Sequence, residues 1–172
     1  MPANVLTYLI VYTSLLLVLL IITSLVYNHY YNIQSSLART GFQAIAESIA
    51  GQIITLYKLE YNASSILKYP IYGPNGRVYD IIIGYGSEIK NIFPVMKTYN
   101  LNDSYIYVVV KSIDGKYFWY RIIGSSQDII LGTPENNVKY YIYSSSVILY
   151  IETRVIKNNI YISIQYKGLR KT

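Results

Sequence analysis

Apolar residues run almost without interruption from Val5 to Tyr27, and no residue before Arg39 carries a formal side-chain charge. A run that is apolar on every side predicts a helix surrounded by lipid or by other helices. At about 1.5 Å per residue it is roughly 34 Å long, enough to cross a hydrocarbon core of about 30 Å. Beyond it the pattern changes. Ile33, Leu37, Phe42, Ile45, Ile49, Ile53 and Leu56 recur mostly at steps of three and four, the spacing of a single helical stripe. Gln34, Arg39, Gln43, Glu47 and Gln52 fall mainly on other faces. Ala38, Ala44, Ala46 and Ala50 favour helix, and no proline interrupts the chain between Ala3 and Tyr69. The pattern therefore predicts one helix over residues 1–58, roughly 80 Å long from Val5 to Lys58. It comprises a membrane anchor over about 5–27 and an amphipathic extension over about 28–58. The outer stripe must be covered by the rest of the chain or by another copy. Gly41 and Gly51 are the places for a bend or a close crossing.

From residue 59 to 172 the periodicity shortens to that of strands. Pro70, Gly73, Pro74 and Gly76 punctuate the change. Strands are expected over Val78 to Tyr85, Tyr105 to Lys111, Tyr117 to Ile123, Val138 to Tyr143, Val147 to Ile156 and Ile160 to Tyr166. Asp114-Gly115 is the strongest hairpin signal, and Lys157-Asn158-Asn159 predicts a second tight turn. The stretch from Ser125 to Asn137 reads as an exposed polar connection. No second helix-length segment is visible, so closely spaced antiparallel pairing is expected rather than a parallel sheet. The fold class is α+β: a long N-terminal transmembrane and amphipathic helix, then an antiparallel β-sandwich or meander.

Composition sharpens this in three ways. There is no cysteine, so neither disulfides nor thiolate metal sites can hold the β-domain. There are 22 Tyr against 3 Phe. Tyr buries a ring while keeping a hydroxyl for water or a partner, which suits an exterior β-domain that packs against neighbours; a compositional habit of the source would give the same count. The net charge of +6 comes from basic residues scattered singly, apart from the adjacent Arg170-Lys171, and forms no patch of the kind nucleic acid requires.

The apolar run has no Lys or Arg before it and no Ala-x-Ala-like site after it, so a retained anchor is expected rather than a cleaved signal. Tyr27, Tyr30 and Tyr31 sit where an aromatic belt would mark the membrane boundary. Thr7, Thr13, Ser14, Thr23 and Ser24 allow close helix contact in lipid or bond their own backbone. The C-terminal domain is expected outside the cell. Asn62-Ala63-Ser64 and Asn102-Asp103-Ser104 match the N-glycosylation acceptor pattern, which makes Asn62 and Asn102 candidates for glycan attachment.

Catalysis is hard to assemble from this inventory. His29 is the single histidine and lies at the membrane exit. The nine carboxylates include no close pair, and Glu47 reads as part of a solvated helix face. Gly84-Tyr85-Gly86 lacks the strand-turn-helix context of a phosphate loop. No enzyme activity, metal or cofactor is expected.

With the helix over Val5 to Lys58 and the β-domain after it, the chain resembles archaeal type IV pilin-like proteins. That class includes pilins, minor pilins and the accessory F and G proteins of the archaellum. Tyr69-Pro70-Ile71-Tyr72-Gly73, followed by Gly76-Arg77-Val78-Tyr79-Asp80-Ile81, is similar to the proline, glycine and Tyr-x-Ile run that opens the sheet in many of them. Met1 to Asn4 lacks the basic residues of a pilin leader, and no glutamate sits near the start of the helix. The first of these shifts the expectation from a major pilin towards an accessory subunit, or means that the leader has already been removed or replaced. The resemblance implies a surface subunit, in the membrane or in an extracellular filament, that self-associates or joins related subunits. Leu15, Leu16, Leu19 and Ile22 plus the outer stripe from Ile33 to Leu56 would form its helix assembly face. An envelope surface-layer protein is a further partner implied by the accessory proteins. The alternatives are a monotopic envelope-binding protein or adhesin that never polymerises, and a viral membrane or virion protein.

Overall fold

A computed structural model describes residues 2–59, 61–157 and 159–170. The chain divides into two compact units, Met1–Leu37 and Ala38–Thr172. The described residues of the first are helix alone. They belong to α1, which spans Pro2–Tyr57 as the uninterrupted helical pattern requires.

The second unit holds the rest of α1 and two sheets. Its elements run β1 (Ala63–Ile66), β2 (Tyr79–Tyr85), α2 (Gly86–Ile92), a 3-10 turn (Pro94–Thr98), β3 (Tyr105–Ser112), β4 (Phe118–Ser125), β5 (Ile129–Thr133), β6 (Asn136–Asn137), β7 (Tyr140–Ser144), β8 (Val147–Ile156) and β9 (Asn159–Leu169). One sheet has the order β1-β8-β9-β5-β6 and the other β4-β3-β2-β7. The α+β class is as expected, with one correction: β5 pairs with β9 in parallel, while the other pairs are antiparallel. Parallel neighbours need a long crossover. Here β6, β7 and β8 supply it, so no crossover helix is required.

The six expected strands are present with their ends displaced by at most three residues, and β8 has the expected bounds. The stretch expected as an exposed connection is not a loop throughout, because β5 lies inside it and buries Ile129 and Leu131. Gly132 there has φ +117, and an added Cβ would meet the Asn136 carbonyl oxygen at 2.3 Å, so the strand turns at a position only glycine can hold. Asp114-Gly115 makes the expected hairpin. Gly115 takes φ +68 and its N–H donates to the Ser112 carbonyl at 2.8 Å. The Asp114 carboxylate accepts from Ser112 Oγ at 2.5 Å and from Lys116 N at 3.1 Å. The second turn includes Asn158, which lies outside the described residues; Lys157 beside it has φ 49, and Ile156 pairs with Asn159.

A short helix was also not foreseen. β2 runs directly into α2, which gives Gly84-Tyr85-Gly86 the strand-to-helix context it was expected to lack. It still makes no phosphate loop, because the Asp103 carboxylate already accepts the Ser87 N–H at the start of the helix. Ile89, Phe93, Met96 and Leu101 of this segment bury one face of the four-stranded sheet with Ile82, Tyr107 and Val109. The opposite face, carrying Ile81, Ile83, Val108 and Val110, joins the main core with Leu149, Ile151, Ile162 and Ile164 of the other sheet.

Candidate assembly and interaction surfaces

The surfaces of α1 differ by unit. Residues 4–34 are all exposed, and this stretch contains the segment long and apolar enough to cross a membrane, with a mean hydropathy of 2.7 and none of it buried. Hydroxyls inside an apolar medium need partners. Thr13 Oγ1 donates to the Leu9 carbonyl at 2.9 Å, Ser14 Oγ to Ile10 at 2.8 Å, and Thr23 Oγ1 to Leu19 at 2.8 Å. Of the two roles read for these residues, bonding to their own backbone is thus present. The helix surface that remains for a neighbour is mostly hydrocarbon, with the exposed Tyr8 and Tyr12 phenols near its start. Tyr27, Tyr30 and Tyr31 are exposed at its C-terminal end, where Gln34 Nε2 donates to the Tyr30 hydroxyl at 2.6 Å.

The expected assembly face divides at this point. Leu15, Leu16, Leu19, Ile22, Ile33 and Leu37 are exposed. Phe42, Ile45, Ile49 and Ile53 are buried in the core of the second unit, with Leu56 half-buried against it. These five must be removed from any face offered to another copy, because both sheets of their own domain already cover them. Ala38, Ala46 and Ala50 are buried with them, whereas Ala44 is exposed. Gly41 is a close crossing: a Cβ there would lie 2.1 Å from Pro74 Cγ. Gly51 has nothing within 4 Å and makes no such approach.

The segment after Pro70 clasps the domain together. The Tyr79 ring meets Phe42 edge-on at 5.9 Å, and its hydroxyl donates to the Pro70 carbonyl at 2.6 Å. The Tyr69 hydroxyl donates to the Val147 carbonyl at 2.8 Å, and the Arg170 guanidinium lies over the Tyr69 ring. Ser145 Oγ donates to the Ile71 carbonyl at 2.5 Å and accepts from Tyr79 N at 3.1 Å. The Gln52 carboxamide pairs with Lys68, accepting from its N–H and donating to its carbonyl, both at 2.7 Å. Burial pushes the Tyr69 phenol up to about 12, against a smaller lowering by Arg170, and burial likewise raises Tyr79.

Asn62 and Asn102 are both exposed. Asn62 Oδ1 accepts from Val155 N at 3.1 Å, tying that carboxamide to β8. Asn102 Oδ1 accepts from within its own turn, from Ser104 N at 3.0 Å. Asp80 is paired with Lys111 at 2.6 Å, and Glu152 with Arg154 at 2.8 Å. Among the described residues no group of three or more His, Asp and Glu is placed to hold a metal.

A groove of about 470 Å³ borders β4. Arg39, Gln43 and Glu47 of α1 line it together with Tyr99 and residues 116–121. The sequence pattern placed the three α1 residues off the apolar stripe, with Glu47 alone read as part of a solvated face, and left Trp119 unremarked. The signal available was a polar ridge spaced i, i+4, i+8 and the single tryptophan of the chain within a strand.

No protein-family model, no curated protein and no solved structure matches this chain.

Proposed function

We propose that this chain is a non-enzymatic, pilin-like cell-surface subunit. Its N-terminal helix sits in a membrane or in a filament core, and its β-domain is presented outside the cell. The observation that carries the reading is the switch along α1 from exposed hydrocarbon at Leu15, Leu16, Leu19 and Ile22 to complete burial at Phe42, Ile49 and Ile53. Fully exposed apolar surface of that extent is costly in water and favourable in lipid or between helices. Thr13, Ser14 and Thr23 within it already bond their own backbone, which suits either setting.

The test compares the full chain with one lacking residues 1–31. The full chain is expected to sediment with membranes or in large assemblies. The shortened chain should be soluble and unassembled, with the unfolding transition of its β-domain retained. Assembly by the shortened chain would show that the helix is not the assembly element. The chain has no cysteine, so a Leu16→Cys variant gives a clean readout of helix pairing. Disulfide-linked pairs in the membrane support a subunit that packs with copies. Exclusively unlinked chains would favour a monotopic envelope-binding protein.

A further inference from the structure

β4 is an edge strand. Among the described residues it pairs with β3 and has no strand on its other side. Ser112 N donates to the Tyr117 carbonyl at 2.8 Å. Bonded and non-bonded pairs alternate along an antiparallel ladder. In the observed register Trp119 opposite Val110 and Arg121 opposite Val108 therefore bond to β3, and the N–H and C=O groups of Phe118 and Tyr120 point outward.

The groove lies along this edge. Strand side chains alternate between faces, so a groove that meets every residue from 117 to 121 follows the edge and does not lie over one face. Arg39, Gln43 and Glu47 form its far wall. A trough with unpaired backbone groups on one side and a ridge of polar side chains on the other has the shape of a missing strand. A sugar would instead need open ring faces. Tyr99 is engaged edge-on with Phe118 at 5.3 Å and with Tyr120 at 5.9 Å, so those rings are already packed against one another.

Charge selects the occupant. Arg39, Lys116 and Arg121 surround the groove, and its single carboxylate, Glu47, accepts from Gln43 Nε2 at 3.0 Å. A second copy is a poor match, because the chain carries 15 Lys and Arg against 9 Asp and Glu. Asp80 and Glu152, the carboxylates on its strands β2 and β8, are already in ion pairs. We propose that the β4 edge is a docking slot in which an extended, acidic segment of another protein adds a strand to the four-stranded sheet. This does not depend on how the N-terminal helix is used.

Trp119 is the only tryptophan and lines the slot, so its emission reports occupancy in the full chain held in detergent micelles. The probe is a synthetic peptide of alternating Glu and Thr, with a Lys and Thr counterpart as control. The acidic peptide is expected to change Trp119 emission saturably and to bind about tenfold or more tightly than the basic one, a preference that R39E/R121E should reverse. Tyr120→Pro deletes an outward N–H without removing a bond to β3. It also removes the ring packed against Tyr99 and Tyr107, so Tyr120→Ala, which loses the ring and keeps the N–H, is its control. With urea midpoints showing both variants folded, the proline variant should abolish binding of the acidic peptide and the alanine variant retain it. The proposal is overturned if neither peptide gives a saturable change. It is equally overturned if oligogalacturonate gives the change in place of the peptides, or if the emission follows the protein's own concentration.

Discussion

The inner and outer halves of α1 use similar residues and meet opposite surroundings. Leu19 is 58% exposed, whereas Ile49 is 0% exposed. The difference lies in what fills the other faces. Around Leu19 every neighbour on the helix is apolar or a hydroxyl bonded inward, so no side is marked as the one to bury. Around Ile49 the other faces carry Gln43, Glu47 and Gln52, which leaves one stripe that both sheets can cover. An apolar helix thus reports its environment through its polar positions more than through its apolar ones.

The sharpest way to break this comparison is to truncate both halves. Phe42→Ala should cost about 3–5 kcal/mol and Ile49→Ala about 2–5 kcal/mol, because each leaves a cavity between the helix and the sheets. Either loss is a large part of the stability of an ordinary domain, roughly 5–15 kcal/mol. Leu19→Ala should leave the urea midpoint of the β-domain where it was. Trp119 fluorescence during urea unfolding reads all three. A midpoint lowered as much by Leu19→Ala as by Ile49→Ala would mean that the inner half is also a core element.

The same contrast explains what could be read from the sequence. The stripe was legible because its spacing is local, and so were the β3–β4 and β8–β9 hairpins, whose partners are adjacent in the chain. Residues in β5 were not. Ile129, Ile130 and Leu131 are too short an apolar run between polar neighbours to signal a strand, and they pair with Ile160, Tyr161 and Ile162 far along the chain. β1 was missed for a similar reason, since Ala63–Ile66 has little strand character of its own and is held by β8. The groove's polar ridge and its tryptophan were each legible, but not their pairing, because Arg39 and Trp119 come together only through tertiary packing. The stripe's owner was also undecided: a period of three to four shows that a face is buried and not what buries it.

A second, smaller effect concerns the clasp that holds the outer half in place. Burial raises the Tyr69 phenol of the clasp to about 12, above the ordinary value of 10.0, and does the same to Tyr143 on β7, whose hydroxyl donates to the Ile164 carbonyl at 2.8 Å. The folded form binds these protons more tightly than the unfolded chain does, so their contribution is fully present below pH 10 and is lost as pH rises from 10 to 12. Phenolate absorbance should show a delayed class of tyrosines, and the urea midpoint should fall across the same interval. Titration of every tyrosine near pH 10 in a folded domain would show that the clasp is open to water.

The smallest effects come from two glycines on the same helix, and they should have opposite signs. A methyl group at Gly41 would press on Pro74 at 2.1 Å, so Gly41→Ala should destabilise by about 1–3 kcal/mol, the usual cost of overpacking. Gly51 is exposed with nothing within 4 Å. Replacing it by alanine removes backbone freedom from the unfolded chain at no steric cost, and should stabilise by about 0.5–1 kcal/mol. The pair holds helix propensity constant, since both changes are glycine to alanine inside α1. Any difference between their urea midpoints therefore measures the contact with Pro74. Equal shifts would mean that Pro74 yields freely and that α1 is seated by its apolar stripe alone.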